Sequence, residues 1–265
     1  MSTLHVYGDS YVDPRFDMYS LSWPARVAGK LGYAVRNSGI SGSSLGYSMT
    51  QFAQDLEQGL HQPGDAVIYI VTDPMRLNFE YIINELPTIA NSFNFLNKNI
   101  PEQQWLWANK SEIEWSIANQ HRKFTEIQAH ACIHMLKSYA ELNPGITVFV
   151  MQICGFHQML PVKTTAKNFL YQEHLHLNTI QCNERTHTPG AGDPTINHLT
   201  EPNLNKLADL VTQAIQTQTI QPWHADQFLQ GILTYPKTLD DYHELINQGL
   251  VPYMPWYADN WWYKP

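Results

Sequence analysis

The run Ala66–Val71, AVIYIV, restricts the fold more than any other feature of the chain. It is unbroken, apolar and rich in β-branched residues, and the turn Pro63-Gly64-Asp65 introduces it. Such a run has no polar face to give to water, so it reads as a strand buried on both sides. Residues 146–153, ITVFVMQI, read the same way, and Leu4-His5-Val6-Tyr7 is a shorter strand ending at Gly8-Asp9-Ser10. A fourth short strand is expected at 33–36.

Strands buried on both faces need helices on both faces. The spacing of Trp23, Val27 and Leu31, with Pro24 in the first turn, predicts a helix over 23–31. Residues 37–48, rich in Gly and Ser, read as a loop, and 49–60 as a helix. A long helix is expected at 121–142, with a stripe at Phe124, Ile127, Ala131 and Met135, stopped by Asn143-Pro144-Gly145. Residues 163–177 are read as helical. Thr200 is expected to cap a last helix striped by Leu204, Leu207, Leu210 and Val211. The alternation predicts an α/β fold: a three-layer α/β/α sandwich around a parallel sheet. The expected organisation is one domain over 1–220, with a partly helical insertion at about 78–118 and an aromatic-rich C-terminal extension over 221–265 packed on the same domain.

Composition narrows the function classes. Of 265 residues, 43% are hydrophobic and 15% charged, so a packed core is expected rather than disorder. A net charge of −8 with scattered Lys and Arg argues against a nucleic-acid partner. Cys132, Cys154 and Cys182 form neither a disulfide framework nor a CxxC pair, so free thiols are expected. No basic-then-apolar leader and no membrane-length apolar run is found, which points to a cytoplasmic protein. A virion component released by lysis would equally lack a leader.

The chemistry centres on Ser10, which follows the first strand at a Gly8-Asp9-Ser10 turn. Ligand sites of parallel α/β sheets lie at the carboxyl ends of strands. There Gly8 permits a tight turn, and backbone N–H groups can face a developing oxyanion. Three other segments fall at comparable places. Residues 37–44 (NSGISGSS) follow the second strand, Thr72-Asp73-Pro74-Met75-Arg76 follows the third, and His198-Leu199 precedes the last helix.

Together these segments make most of residues 3–217 resemble the GDSL, or SGNH, hydrolase superfamily. Gly8-Asp9-Ser10 matches the first block in full, and Asn37 to Ser44 is similar to the second. In the third block Thr72 stands where the family has Asn, and Ile70 where it has Gly. In the last block His198 is present, but Thr195 stands in the place of the Asp of Asp-x-x-His. The resemblance implies a flavodoxin-like fold, Ser10 as nucleophile, His198 as general base, and an oxyanion hole built from the N–H groups of Ser10 and Gly42. Thr72 could be the third donor, directly or through water. Asp193 is the first candidate to orient His198; Asn197 or a backbone carbonyl could do so instead. Asp9, Asp73 and Arg76 are candidates for substrate contact, though for Arg76 a structural pairing with Asp73 is slightly preferred.

The expected activity is cleavage of a carboxylic ester by a Ser-His mechanism. No metal and no organic cofactor is implied. The family commonly acts on O-acetyl carbohydrates, lipids and small esters, and the aromatic content leans toward carbohydrate. The alternative is a virion- or surface-associated binding or structural module that kept the fold and lost efficient chemistry. Phosphoryl or sulfuryl transfer is disfavoured, because no Gly-rich phosphate loop with a Lys occurs.

Two other features are set aside as ligand sites. His130 and His134 share a helix face, but no Glu follows His130 as in zinc-protease helices, and surface or core placement is preferred. His174, His176, Cys182 and His187 match no standard zinc spacing. The tail's Trp223, Trp256, Trp261 and Trp262 read first as a buried strap, with sugar stacking or a homo-oligomer or virion contact as the other options.

Overall fold

Five parallel strands form the central sheet of the computed structural model, in the order β2-β1-β3-β6-β7. They are β1 (Thr3–Tyr7), β2 (Ala34–Asn37), β3 (Ala66–Val71), β6 (Thr147–Gln152) and β7 (Phe169–Gln172). The structure describes residues 1–14, 22–40, 43–72, 79–83, 86–88, 122–153, 162–185, 199–233 and 239–250. Among the described residues six α-helices accompany the sheet: α1 (Trp23–Leu31), α2 (Leu45–Glu57), α3 (Arg122–Leu142), α4 (Leu177–Glu184), α5 (Glu201–Thr217) and α6 (Leu239–Asn247). No helix among the described residues is long and apolar enough to cross a membrane.

Strand alternation sorts the core into two layers. Leu4, Val6, Ile68, Ile70 and Phe149 face one side, where α1, α4 and α5 bring Val27, Ile180 and Leu207. Tyr7, Val67, Tyr69, Val71 and Val148 face the other, against Phe52 of α2 and Ile133 and Leu136 of α3. This is the expected three-layer sandwich. Every residue of β3 and β6 is buried, which is why those two runs carry no polar alternation.

The order places β1 between β2 and β3, with register pairs Val6↔Asn37 and Tyr7↔Tyr69. The α1 and α2 connections pack on opposite faces of the sheet. The chain therefore reverses its winding at β1, and the carboxyl end of β1 is the switch point where such sheets bind ligands.

The structure departs from expectation in three places. Residues 163–177 are not one helix: β7 occupies Phe169–Gln172, and α4 starts only at Leu177. Helix α2 begins at Leu45, inside the expected loop, because the Ser44 side chain accepts from Tyr47 N–H at 3.2 Å and caps it. The described start of the expected helical insertion is a two-stranded antiparallel pair, β4 (Phe79–Ile83) with β5 (Leu86–Thr88). The rest of that insertion lies outside the described residues.

The first part of the C-terminal extension joins the sandwich core. Trp223 is buried and stacks on Phe149 of β6, with ring centroids 5.6 Å apart. Trp256, Trp261 and Trp262 lie outside the described residues.

Candidate active site at the carboxyl end of the sheet

Beyond β1 the chain turns at once. Val12 N–H and Asp13 N–H both donate to Asp9 C=O at 3.0 Å, which makes residues 9–13 a single helical turn. Ser10 sits half-buried on that turn. The turn requires Gly8. Its φ is +152°, and an added Cβ would lie 2.8 Å from Val12 Cγ2 and 2.9 Å from Ile70 Cβ. Ile70, at the position where the resemblance has Gly, is thus packed directly against the backbone of the serine turn.

The loop after β2 is fastened to the same turn. Asn37 Oδ1 accepts from Gly39 N–H at 2.9 Å, while its Nδ2 donates to Val12 C=O at 2.6 Å. A Cβ on Gly39 would meet Val12 Cγ2 at 2.7 Å, so the two loops are in backbone contact. Ile40 N–H donates to Gly8 C=O at 3.2 Å, and Ser43 Oγ donates to the same oxygen at 3.0 Å. The residues either side of the 41–42 step are therefore both held by Gly8.

Two further ties fix the turn from the opposite face. Trp23 Nε1 donates to Tyr11 C=O at 2.8 Å. Tyr11 Oη lies 2.8 Å from Asn178 Oδ1 on α4 and is also hydrogen-bonded to Gln181 Oε1.

Asp9 and Thr72 meet beneath Ser10. Asp9 is fully buried, accepting from Tyr11 N–H at 3.1 Å on Oδ1 and from Thr72 Oγ1 at 3.0 Å on Oδ2. Asp9 was a candidate for substrate contact, but the structure places its carboxylate inside the protein, bracing the turn. Thr72 was a candidate oxyanion donor. Its side chain is buried, and its one hydroxyl proton is directed at Asp9, with Ser43 C=O at 3.4 Å as a second acceptor.

Gly42, Asp73, Arg76, Asp193, Asn197 and His198 lie outside the described residues. The chain is described again from Leu199, which is buried in the core, and Thr200. Thr200 stands at the N-cap of α5 as expected, but its side chain does not cap the helix. It donates instead to Glu184 Oε1 at 2.7 Å. Thr200 N–H is shared between Glu184 Oε1 at 3.0 Å and Oε2 at 3.1 Å, and Asn203 Nδ2 reaches Oε1 at 2.7 Å. Burial pushes the Glu184 carboxyl up to about 7 despite these donors. Sequence reasoning missed Glu184, since one Glu near a helix end carries no signal of its own.

A second polar cluster lies within the α2–α3 face. Tyr7 Oη donates to Asp55 Oδ2 at 2.7 Å, so it accepts from His61 Nε2 at 2.8 Å; His61 Nδ1 is then free to accept from Tyr139 Oη at 2.8 Å. Arg36 pairs with Asp55 through Nε and Nη2. His5 Nε2 meets Asp65 Oδ2 at 3.2 Å and is buried beside His61, with ring centroids 4.3 Å apart. Burial and the neighbouring His5 take His61 down to about 4, and burial also lowers His5. Ligand atoms of His5, Asp55 and His61 lie within 4.8 Å of one another, the one such group among the described residues. Arg36 and two tyrosine hydroxyls already occupy the Asp55 and His61 atoms, so the cluster works as a hydrogen-bond network.

Among the features set aside, His130 Nε2 and His134 Nε2 lie 2.9 Å apart on the flank of α3. Cys132 and Cys182 are free. A comparison with protein-family models finds no match for the chain, and a search of the curated proteins finds none either.

Proposed function

We propose that the chain is a serine ester hydrolase of the SGNH type. The observation that carries this reading is the braced turn at the switch point, with Ser10 half-buried on it between two glycine-dependent backbone contacts. A nucleophile needs a fixed position more than it needs many neighbours, because effective molarity falls steeply with misplacement. In the proposed mechanism His198 removes the Ser10 proton and Ser10 Oγ attacks the ester carbonyl. The N–H groups of Ser10 and Gly42 hold the oxyanion. His198 then protonates the departing alkoxide, and water deacylates the serine.

Thr72 is left out of the oxyanion hole, since its proton serves Asp9. One absent donor raises the barrier by about 3 kcal/mol. The same observation favours a second reading, a catalytically weakened module that retains the fold for binding or assembly.

Hydrolysis of p-nitrophenyl acetate by the wild type and by Ser10→Ala separates the two. Loss of turnover in Ser10→Ala, with fluorophosphonate labelling of Ser10 in the wild type, is the expected result. Turnover that is unchanged in Ser10→Ala would sink the esterase reading.

A further inference from the structure

We propose that His130 and His134 form a two-histidine chelate on α3 for a late first-row divalent cation, Cu(II) or Ni(II) before Zn(II). The proposal stands apart from the esterase reading, and its geometry involves described residues alone.

The helix sets the pair. Residues four apart lie one above the other on a helix face. His130 and His134 are both half-buried, and Ala131 beside them is exposed. Cys132 and Ile133, on the opposite flank, are fully buried in the core and anchor this stretch of α3. The two rings are thus carried by a fixed backbone and stay partly open to solvent.

The ring geometry suits two ligands of one ion. The Nε2 atoms lie 2.9 Å apart, the ring centroids 4.6 Å apart, and the ring planes meet at 49°. A straight N–H···N hydrogen bond would put both centroids on the line through the nitrogens, about 5.2 Å apart. The rings are tilted off that line, as ligands sharing an ion must be. At a metal–nitrogen distance of about 2.0–2.1 Å, this nitrogen separation subtends about 90° at the ion. That is the cis angle of octahedral and tetragonal sites, whereas a tetrahedral ion needs about 3.3 Å between its nitrogens. Cu(II) and Ni(II) take the former geometries, and Cu(II) heads the affinity order for such ligands.

Protonation favours binding as well, since only the neutral imidazole is a ligand. Burial first, and the neighbouring His134 second, hold His130 below its ordinary value. In the free protein one Nε2 donates its proton to the other. On binding, that ring carries its proton on Nδ1 instead, and the ion takes the place between the nitrogens. No net proton is lost. Two protein ligands leave the remaining positions to water or to a ligand from solution. The Glu that is absent after His130 would serve peptide hydrolysis; it is not needed to hold the ion.

The test uses the full, untagged chain, stripped with EDTA, and the metal salts alone. The chain has 12 His, so every titration is read against variants of the pair. Calorimetry with Ni(II) should show one saturable step per chain. The spectrum of one equivalent of Cu(II) in electron paramagnetic resonance should show coupling to two nitrogens. His130→Gln and His134→Gln should each weaken that step at least about tenfold, because a single imidazole loses the effective concentration of its neighbour. The double variant should be little weaker than either one. Circular dichroism verifies folding, and if one variant does not fold the other decides. Equal affinity in the wild type and a folded variant overturns the proposal and leaves the pair as a hydrogen bond between two rings. Tighter binding of Zn(II) than of Cu(II) overturns the assignment of the cis geometry.

Discussion

Thr72 Oγ1 lies 3.0 Å from Asp9 Oδ2, and this hydrogen bond joins the end of β3 to the turn that carries Ser10. Both side chains are fully buried. Thr72→Val removes the donor while nearly keeping the volume, and it leaves a buried carboxylate short of one partner. The expected loss of stability is about 1–3 kcal/mol by urea unfolding. Asp9→Asn should lose less in the Thr72→Val background than in the wild type, with a coupling of about 0.5–3 kcal/mol. Additive losses would mean that the two residues act independently. Under the esterase reading, any fall in kcat in Thr72→Val then reports the turn rather than a lost oxyanion donor.

Gly8→Ala tests the other side of the same turn. The new Cβ would meet Val12 Cγ2 and Ile70 Cβ at 2.8 and 2.9 Å, at a φ of +152°. Backbone strain and overpacking act together here, so a loss of about 2–4 kcal/mol in chemical denaturation is expected. The Ile70 Cβ belongs to a central strand and cannot swing away like a side-chain tip. A loss below about 1 kcal/mol would show that the carboxyl ends of β1 and β3 yield more than their packing indicates.

Trp223→Ala asks whether the chain after α5 belongs to the core. The indole is 3% exposed and stacks on Phe149 at an interplanar angle of 26°. Truncating a buried aromatic of this size is expected to remove about 3–5 kcal/mol. A variant with near-wild-type stability in urea would mean that residues near 223 only cover the sandwich.

What could be read from the sequence follows the range over which each determinant acts. AVIYIV and the run at 147–152 were legible because a central parallel strand shows its burial residue by residue. β7 was not: FLYQ is four residues long, lies at the sheet edge and sits between Lys167 and Glu173, so its polar flanks resemble a helix surface. The serine turn was legible because Gly8-Asp9-Ser10 is contiguous. The roles within it were not, since Asp9 and Thr72 are 63 positions apart and only the folded sheet decides where the hydroxyl proton points. Glu184 was hidden for the same reason, with partners 16 and 19 residues along the chain. His5 was read as one residue of an apolar strand, and its pairing with Asp65 spans 60 positions.

The buried histidines make stability depend on pH, and the sign follows from their environment. His61 is held at about 4 against an ordinary value of 6.5, because the fold favours the neutral ring. Its contribution is complete above 6.5 and is lost progressively as the pH falls toward 4, where the folded protein also takes up the proton. The span corresponds to about 3 kcal/mol, reduced where solvent screens the partly exposed ring. His5, lowered by burial, acts in the same direction. Arg36 holds the Asp55 carboxyl below its usual value, and backbone N–H groups do so for Asp65; both lose their contribution at still lower pH. Glu184, raised to about 7, has the opposite sense: its contribution is complete below about 4.5 and fades as the pH rises through 7. The two windows overlap between about 4.5 and 6.5, where Glu184 offsets part of the acid-side loss that His61 and His5 cause. Urea unfolding of the wild type and His61→Gln at several values between pH 7.5 and 4 checks this. The variant should start less stable, having lost its tie to Tyr7 or Tyr139, but it should show a shallower acid slope. Because Glu184 is common to both proteins, its effect cancels in the difference. Parallel wild-type and variant profiles would show that His61 is not the group whose protonation destabilises the fold.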